Sequence, residues 1–225
     1  MKTRLILSPV VLLALILIGG CAKQTDRPIF DIAKDGTPQE MKAAIDRAKG
    51  ANVNDRDADG NKTVLMWAAQ FNKNPEVTVT LVKEGAIVEI RDYDKNWTTL
   101  MLAAQSTKNP EVVTVLLNAG ADLRAVDQEG NTPFLIASGY NGNPEVIMRL
   151  LKAGADLEGK DKNGFTALME AASKNNNPNV IVALLKAGAN AKQKNSKGFT
   201  AIDYAKANKD LDGTDAFKQL EEASK

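Results

Sequence analysis

Three regularly spaced aspartates could begin a calcium-binding loop. Asp55, Asp57 and Asp59 alternate with other residues and are followed by Gly60, which resembles the first half of such a loop. A complete loop needs a bidentate Glu at its twelfth position, and counting from Asp55 that position holds Met66. We therefore do not expect a calcium site here, and a weak acidic site is the open alternative.

Two further acidic patterns could support acid–base chemistry. Asp92 and Asp94 could form a carboxylate pair, but they lie in a polar segment, so we interpret them as solvated turn acids. Glu170 lies among apolar residues of a predicted helix, and we interpret it as a groove-facing or ion-paired residue. The chain contains no histidine, which excludes Ser–His and Cys–His catalysis and histidine metal sites. We expect no enzymatic activity, no metal and no cofactor.

The composition is that of an ordinary folded chain. Its 225 residues suffice for one domain or at most two small ones, and 44% of them are hydrophobic. There are 29 Lys and Arg against 28 Asp and Glu, a net charge of +1. This balance argues against a broad phosphate-binding surface, so we expect no nucleic-acid partner.

The single cysteine, Cys21, stands at the end of an apolar run from Leu5 to Ile18. The run is shorter than the roughly 20 residues of a membrane-spanning helix and has the proportions of a secretion signal. Gly19 and Gly20 place small residues directly before the cysteine. This arrangement resembles the lipobox of bacterial lipoproteins, which implies cleavage before Cys21 and acylation of its sulfur. The alternative is an ordinary secretion signal that contains a cysteine by chance.

These features predict three segments: a cleaved signal at 1–20, the lipidated cysteine and a tether at 21–29, and a folded domain at 30–225. Cleavage would remove two of the 29 basic residues and no acidic one, which leaves 27 against 28 and a net charge of −1. No basic patch would then assist membrane binding, so the lipid must anchor the chain alone. The resemblance implies the bacterial envelope, and Ala22 after the cysteine favours the outer membrane, facing the periplasm.

From about Phe30 onward the sequence repeats with a period of 34 or 35 residues. The units that start at Thr63, Thr98, Thr132 and Thr166 each contain a threonine, then an Asn–Pro pair, then a Gly–Ala pair, and we number residues within a unit from its threonine. The repeat threonines are Thr63, Thr98, Thr132, Thr166 and Thr200. Such a period is the mark of a stacked repeat architecture.

Each unit reads as two helices joined by turns. Asn143–Pro144 is a typical helix start, because Asn caps free N–H groups and Pro suits the first helical position. The glycine of each Gly–Ala pair predicts a left-handed helix cap. In the first unit, Thr37 and Glu40 have the spacing of a capping box. Trp67 falls inside the apolar pattern of a first helix and is predicted to lie in the core.

The segment Thr132-Pro133-Phe134-Leu135 is similar to the Thr-Pro-Leu-His signature of ankyrin repeats. This resemblance implies an all-α fold, an α-solenoid of about six helix–turn–helix repeats with short finger hairpins. The family's histidine position holds Met66, Met101, Leu135, Met169 and Asp203. The histidine network between fingers is therefore absent, and apolar packing is expected to replace it.

In ankyrin repeats the position before the repeat threonine varies and often faces a partner. Here it holds Lys62, Trp97, Asn131, Phe165 and Phe199. Three aromatic residues in five stand out in a chain that is only 5% aromatic, and Phe71 and Tyr140 could extend the set. We predict that these seven residues bind a partner protein. The open alternative is that the aromatic rings stack on neighbouring units and only stabilise the array.

The resemblances together suggest a lipid-anchored, monomeric interaction module that binds another envelope protein through a concave surface. The alternative is an immunity-type lipoprotein that neutralises a toxin or an envelope enzyme.

Overall fold

The computed structural model describes residues 27–48 and 52–225. Within these ranges twelve α-helices and one 3-10 turn, Lys209–Leu211, follow one another. The first helices of the six pairs are α1 (Ile29–Asp35), α3 (Val64–Phe71), α5 (Thr99–Ser106), α7 (Pro133–Tyr140), α9 (Ala167–Lys174) and α11 (Ala201–Ala205). The second helices are α2 (Pro38–Arg47), α4 (Pro75–Lys83), α6 (Pro110–Asn118), α8 (Pro144–Lys152), α10 (Pro178–Lys186) and α12 (Asp215–Ala223).

The six helix pairs stack in chain order. Each first helix packs on the first helices before and after it, and the second helices stack in the same way. This confirms the predicted all-α solenoid of about six helix–turn–helix repeats. The proposed signal, Cys21 and the Gly50–Ala51 pair lie outside the described residues. None of the helices in the described ranges has both the length and the hydrophobicity needed to cross a membrane.

Both kinds of helix begin at the caps that the sequence predicts. The Thr132 hydroxyl accepts the Leu135 N–H at 3.3 Å, and the side-chain Oδ1 of Asn143 accepts the Glu145 N–H at 3.0 Å. The capping box between Thr37 and Glu40 is complete in both directions. These bonds satisfy N–H groups that a helix leaves unpaired at its start.

Four of the second helices, α4, α6, α8 and α10, end on glycines in the left-handed region. Gly120, for example, has φ +90°, and the next N–H, of Ala121, donates to the Leu116 carbonyl at 3.0 Å. A side chain would be strained at this φ, so glycine ends the helix at the lowest cost. The predicted left-handed caps are confirmed.

Small residues let the first helices approach one another closely. Ala68, Ala103 and Ala171 are fully buried between stacked helices, and Val and Leu side chains of the second helices complete the core. A separate apolar cluster contains Met66, Trp97, Met101, Leu102, Ala125 and Ile136. Met66 and Met101 stand at the family's histidine position, so apolar packing replaces the histidine network there, as the sequence predicts.

A ladder of asparagine amides, which the sequence analysis did not predict, ties consecutive repeats together. The Asn141 side-chain amide donates to the carbonyls of Ala104 and Thr107 in the preceding repeat, at 2.9 and 3.2 Å. Equivalent pairs of bonds are made by Asn72, Asn175 and Asn208. Thr107 occupies this position in the third repeat, so the ladder lacks one rung.

Candidate protein-binding face

One acidic residue closes each of the first four finger hairpins. Oδ1 of Asp127 accepts the N–H groups of Glu129 and Asn131 at 3.0 and 2.7 Å, and Asp57, Asp92 and Asp161 accept in the same manner. Asp92 is only 4% exposed. The interpretation of Asp92 as a solvated acid is therefore wrong, because its carboxylate is buried and accepts N–H groups of its own finger.

Both carboxylate oxygens of Asp57 are engaged within the repeat. Oδ1 accepts the Asn61 N–H at 2.9 Å, and Oδ2 accepts the Trp67 indole N–H at 2.9 Å. Burial by itself raises the pKa of Asp57, but these hydrogen bonds outweigh burial and hold that pKa below its ordinary value. Within the described residues no group of three or more Asp, Glu, Cys or His side chains could hold a metal ion.

Three positions of each repeat share one surface, which we call the finger-side face. They are the residue before the repeat threonine and the residues four and eight after it. The face comprises Lys62, Trp67, Phe71, Trp97, Leu102, Ser106, Asn131, Ile136, Tyr140, Phe165, Glu170, Lys174, Phe199 and Tyr204; in the last repeat the eighth residue, Asn208, belongs to the amide ladder instead. Contacts between these positions establish the surface: the Lys62 ammonium lies 5.1 Å from the Trp67 ring centroid, and the Phe165 ring lies 4.9 Å from that of Tyr204.

Trp97 is a packing residue of this face. It is 5% exposed and its indole N–H donates to Asp127 Oδ2 at 3.0 Å, in the next finger. Trp97 therefore packs within the array as the stabilising alternative describes, and its predicted role in partner binding stays a prediction. Asn131 also bonds Asp127 Oδ2, at 3.0 Å, and is partly buried.

Two predicted aromatic residues, Phe165 and Phe199, each contact Tyr204 at the C-terminal end of the face. The Phe165 and Phe199 rings lie 4.9 and 6.0 Å from the Tyr204 ring. Phe165 is half-buried by this contact, whereas Phe199 is 49% exposed. Tyr204 was missed in the sequence analysis, although its position four residues after the repeat threonine could have indicated it.

At the N-terminal end, Phe71 is 47% exposed and its ring stacks at 5.3 Å on Trp67. Trp67 is only partly buried, so its predicted place in the core is corrected to the edge of the core and the finger-side face. Lys34 and Lys62 lie over the Trp67 ring at 4.4 and 5.1 Å. Lys62 also donates to Gln70 at 2.9 Å.

The centre of the face holds a groove of about 280 Å³ between the fingers of the third and fourth repeats and helices α7 and α9. Trp97, Asn131, Ile136, Tyr140, Glu170 and Lys174 all contribute to its walls. Tyr140 is 50% exposed. The groove thus brings three of the seven predicted residues together, namely Trp97, Asn131 and Tyr140.

In this groove the buried Glu170 forms an ion pair with Lys174, whose side chain is partly exposed. The Lys174 ammonium lies 3.0 Å from Oε1 and 2.7 Å from Oε2 of Glu170, which is 3% exposed. Burial raises the pKa of Glu170, and the ammonium offsets that effect only in part. The pairing expected for Glu170 is confirmed, and Lys174 was not foreseen as its partner.

The comparison with protein families agrees with this geometry. The model of ankyrin repeats matches the chain three times, over residues 29–127, 100–195 and 134–220. The chain belongs to the ankyrin repeat family. No curated protein matches it. Ankyrin repeats are typically non-catalytic protein-interaction modules, and stacked repeats of this kind offer extended surfaces for that purpose.

Proposed function

We propose that this ankyrin repeat protein is a lipid-anchored module that binds another protein of the bacterial envelope through its finger-side face. The observation that carries the proposal is the exposure of three aromatic side chains, Phe71, Tyr140 and Phe199, on that single face. Each is about half exposed. Aromatic side chains in such positions are frequent anchors of protein interfaces.

The distribution of these residues supports an extended contact. Phe71 lies in the second repeat, Tyr140 in the fourth and Phe199 in the sixth. A partner that contacts all three would span most of the array. Residues between them, such as Trp97 and Asp127, bond one another and hold the fingers in place. A preorganised surface of this kind limits the entropy lost on binding.

The anchoring part of the proposal depends on Cys21 and the apolar run before it. Two or more acyl chains suffice to hold a chain at a membrane, whereas one gives marginal binding. Helix α1 begins at Ile29, so the tether of residues 22–28 spans at most about 25 Å when fully extended at roughly 3.5 Å per residue. The finger-side face would then act close to the membrane surface, and the outer membrane is the site we favour.

Site-specific photo-crosslinking in living cells tests the binding face. A photoreactive phenylalanine analogue replaces Phe71, Tyr140 or Phe199, one at a time, in the full chain. The matched controls carry the analogue at Asn118 or Lys152, which are exposed ends of second helices. We expect one protein adduct from the three face positions and none from the controls.

The identity of the adduct would then distinguish the role. An envelope protein crosslinked from the face alone supports the interaction module, and a toxin or an inhibited enzyme would make the module an inhibitory one. Equal adducts from the face and the second helices, or none from the face, would overturn the proposal.

A further inference from the structure

The central groove has the dimensions of a single long side chain. Its volume of about 280 Å³ lies at the lower limit of small-molecule sites, which usually measure about 300–1,000 Å³. Its lining carries four carboxylates, of Asp94, Asp127, Glu129 and Glu170, against the two ammonium groups of Lys95 and Lys174. The surplus of negative charge favours a cationic occupant.

The fold does not require a carboxylate at position 170. The same position holds Leu102 and Ile136 in the two preceding repeats, and both pack in an apolar cluster. A buried carboxylate costs free energy unless a cation pairs with it. The neighbouring repeat leaves room for this carboxylate through Gly139, where a Cβ would lie 2.8 Å from Glu170 Oε2.

The carboxylate and an aromatic ring together already hold a cation. The Lys174 ammonium contacts both oxygens of Glu170 and lies 5.3 Å from the Tyr140 ring centroid. Both the ion pair and the ring attract a positive group. The Lys174 side chain is 37% exposed and reaches the groove from the last turn of α9, so its ammonium can leave toward solvent without unfolding the helix.

We propose that the groove is the binding site for an arginine side chain of the partner protein, and that Lys174 is the resident cation that this arginine displaces. A guanidinium is planar, so it can bond both Glu170 oxygens while it stacks on Tyr140. Arginine is also more weakly hydrated than lysine, which lowers the cost of entering the groove.

This inference rests on the proposed function, since it assigns partner chemistry to one part of the finger-side face. Its test needs no natural partner, so the two proposals can fail separately. A failed titration leaves the crosslinking result intact, and a failed crosslink leaves the titration intact.

The test is a titration of the purified full chain with the tripeptide acetyl-Gly-Arg-Gly-amide at pH 8, where ionisation of Glu170 is favoured. The chain has two tryptophans, so its indole N–H signals in NMR are few. Trp97 lines the groove and reports binding, whereas Trp67 lies in the second repeat and serves as the internal control. A Trp67→Phe variant assigns the two signals. A tripeptide with citrulline in place of arginine tests the charge, because citrulline is planar but neutral. A tripeptide with lysine tests the shape, because lysine is charged but not planar.

We expect the arginine peptide to shift the Trp97 signal and leave that of Trp67 in place, and we expect the citrulline peptide to shift neither. Glu170→Gln should weaken binding about tenfold, the loss of one charged hydrogen bond. Lys174→Met should strengthen it about threefold, because no resident cation competes. Lys152→Met, a lysine outside the groove, should change nothing.

Four results would overturn the inference. The first two are the absence of a Trp97 shift in both the parent and Lys174→Met, and binding of the arginine peptide by Glu170→Gln that equals binding by the parent. The other two are equal affinities for the lysine and arginine peptides, and an affinity of Lys174→Met no higher than that of the parent. An unchanged Trp67 signal in each variant verifies that the fold is intact. Lys174→Met retains the carboxylate, so the inference stays testable even where Glu170→Gln folds poorly.

Discussion

The Trp97 indole N–H donates to Asp127 Oδ2 at 3.0 Å, and this bond joins the finger of the third repeat to that of the fourth. Both residues are buried. Asp127 also closes its own finger through the Glu129 and Asn131 N–H groups. One carboxylate therefore fixes the shape of a finger and its distance from the finger before it.

Trp97→Phe removes the bond between the fingers but keeps an aromatic ring. We expect the free energy of unfolding to fall by about 2 kcal/mol, the usual value for a hydrogen bond to a charged group. Urea denaturation measures the loss, with an unchanged m-value as the check on cooperativity. Trp67→Phe is the matched control, because its indole bonds Asp57 within one repeat. A loss no larger than that of the control would contradict the role of Trp97 between repeats.

Asn141→Ala removes one rung of the amide ladder. The bonds to the Ala104 and Thr107 carbonyls disappear, and these groups are left without a donor in a buried site. We expect a loss of about 3 kcal/mol, since an unpaired buried polar group costs about 1–3 kcal/mol. Thermal or urea denaturation measures it. Asn176→Ala, at an exposed residue of a neighbouring loop, should change stability by less than about 0.5 kcal/mol.

Thr107→Asn should complete the ladder. The Thr107 hydroxyl accepts the Asn109 N–H at 3.3 Å, as Asn141 accepts that of Asn143, but it sends no amide to the preceding repeat. Asparagine would supply that donor to the equivalent carbonyls of helix α3. We expect a gain of about 1 kcal/mol, measured as a higher urea midpoint. A lower midpoint would show that the buried position does not accommodate the amide.

Asp57→Asn should destabilise the chain in a pH-dependent manner. The pKa of Asp57 in the folded state lies below its ordinary value, so its contribution is present above about pH 4 and is lost as the pH falls through the folded pKa. We expect a loss of about 1–2 kcal/mol at pH 7 that shrinks below pH 4. Denaturation of both chains across pH 2–8 measures the difference. Asp59→Asn, an exposed acid on the same finger, should show neither effect.

Cys21→Ser should release the protein from the membrane. The change removes the only sulfur that could be acylated, and without acyl chains no basic patch holds the chain at the lipid surface. Detergent phase partition and labelling with a palmitate analogue measure the outcome. Unlabelled parent protein in the aqueous phase would overturn the lipid anchor and leave the ordinary secretion signal as the explanation.

The repeat pattern alone was enough to predict most of the architecture. Thr132, Asn143 and Gly120 specify a helix start, a second helix start and a helix end through bonds that span only a few residues. Such local bonds depend on sequence neighbours, so spacing reveals them. The Asn141 amide bonds carbonyls 34 and 37 residues away, and no local pattern distinguishes it from an ordinary turn asparagine.

The sequence determined that Trp97 and Phe199 occupy the same position of their repeats and that both are aromatic. Only the tertiary structure decided that Trp97 is buried and Phe199 half exposed. Trp97 is followed by another finger, whose Asp127 accepts its indole N–H, whereas the helix pair after Phe199 is the last of the described chain and brings no further finger. The exposed fraction of a side chain at this position depends on the residues of the next repeat that contact it. Those contacts are made between repeats, so they depend on tertiary packing.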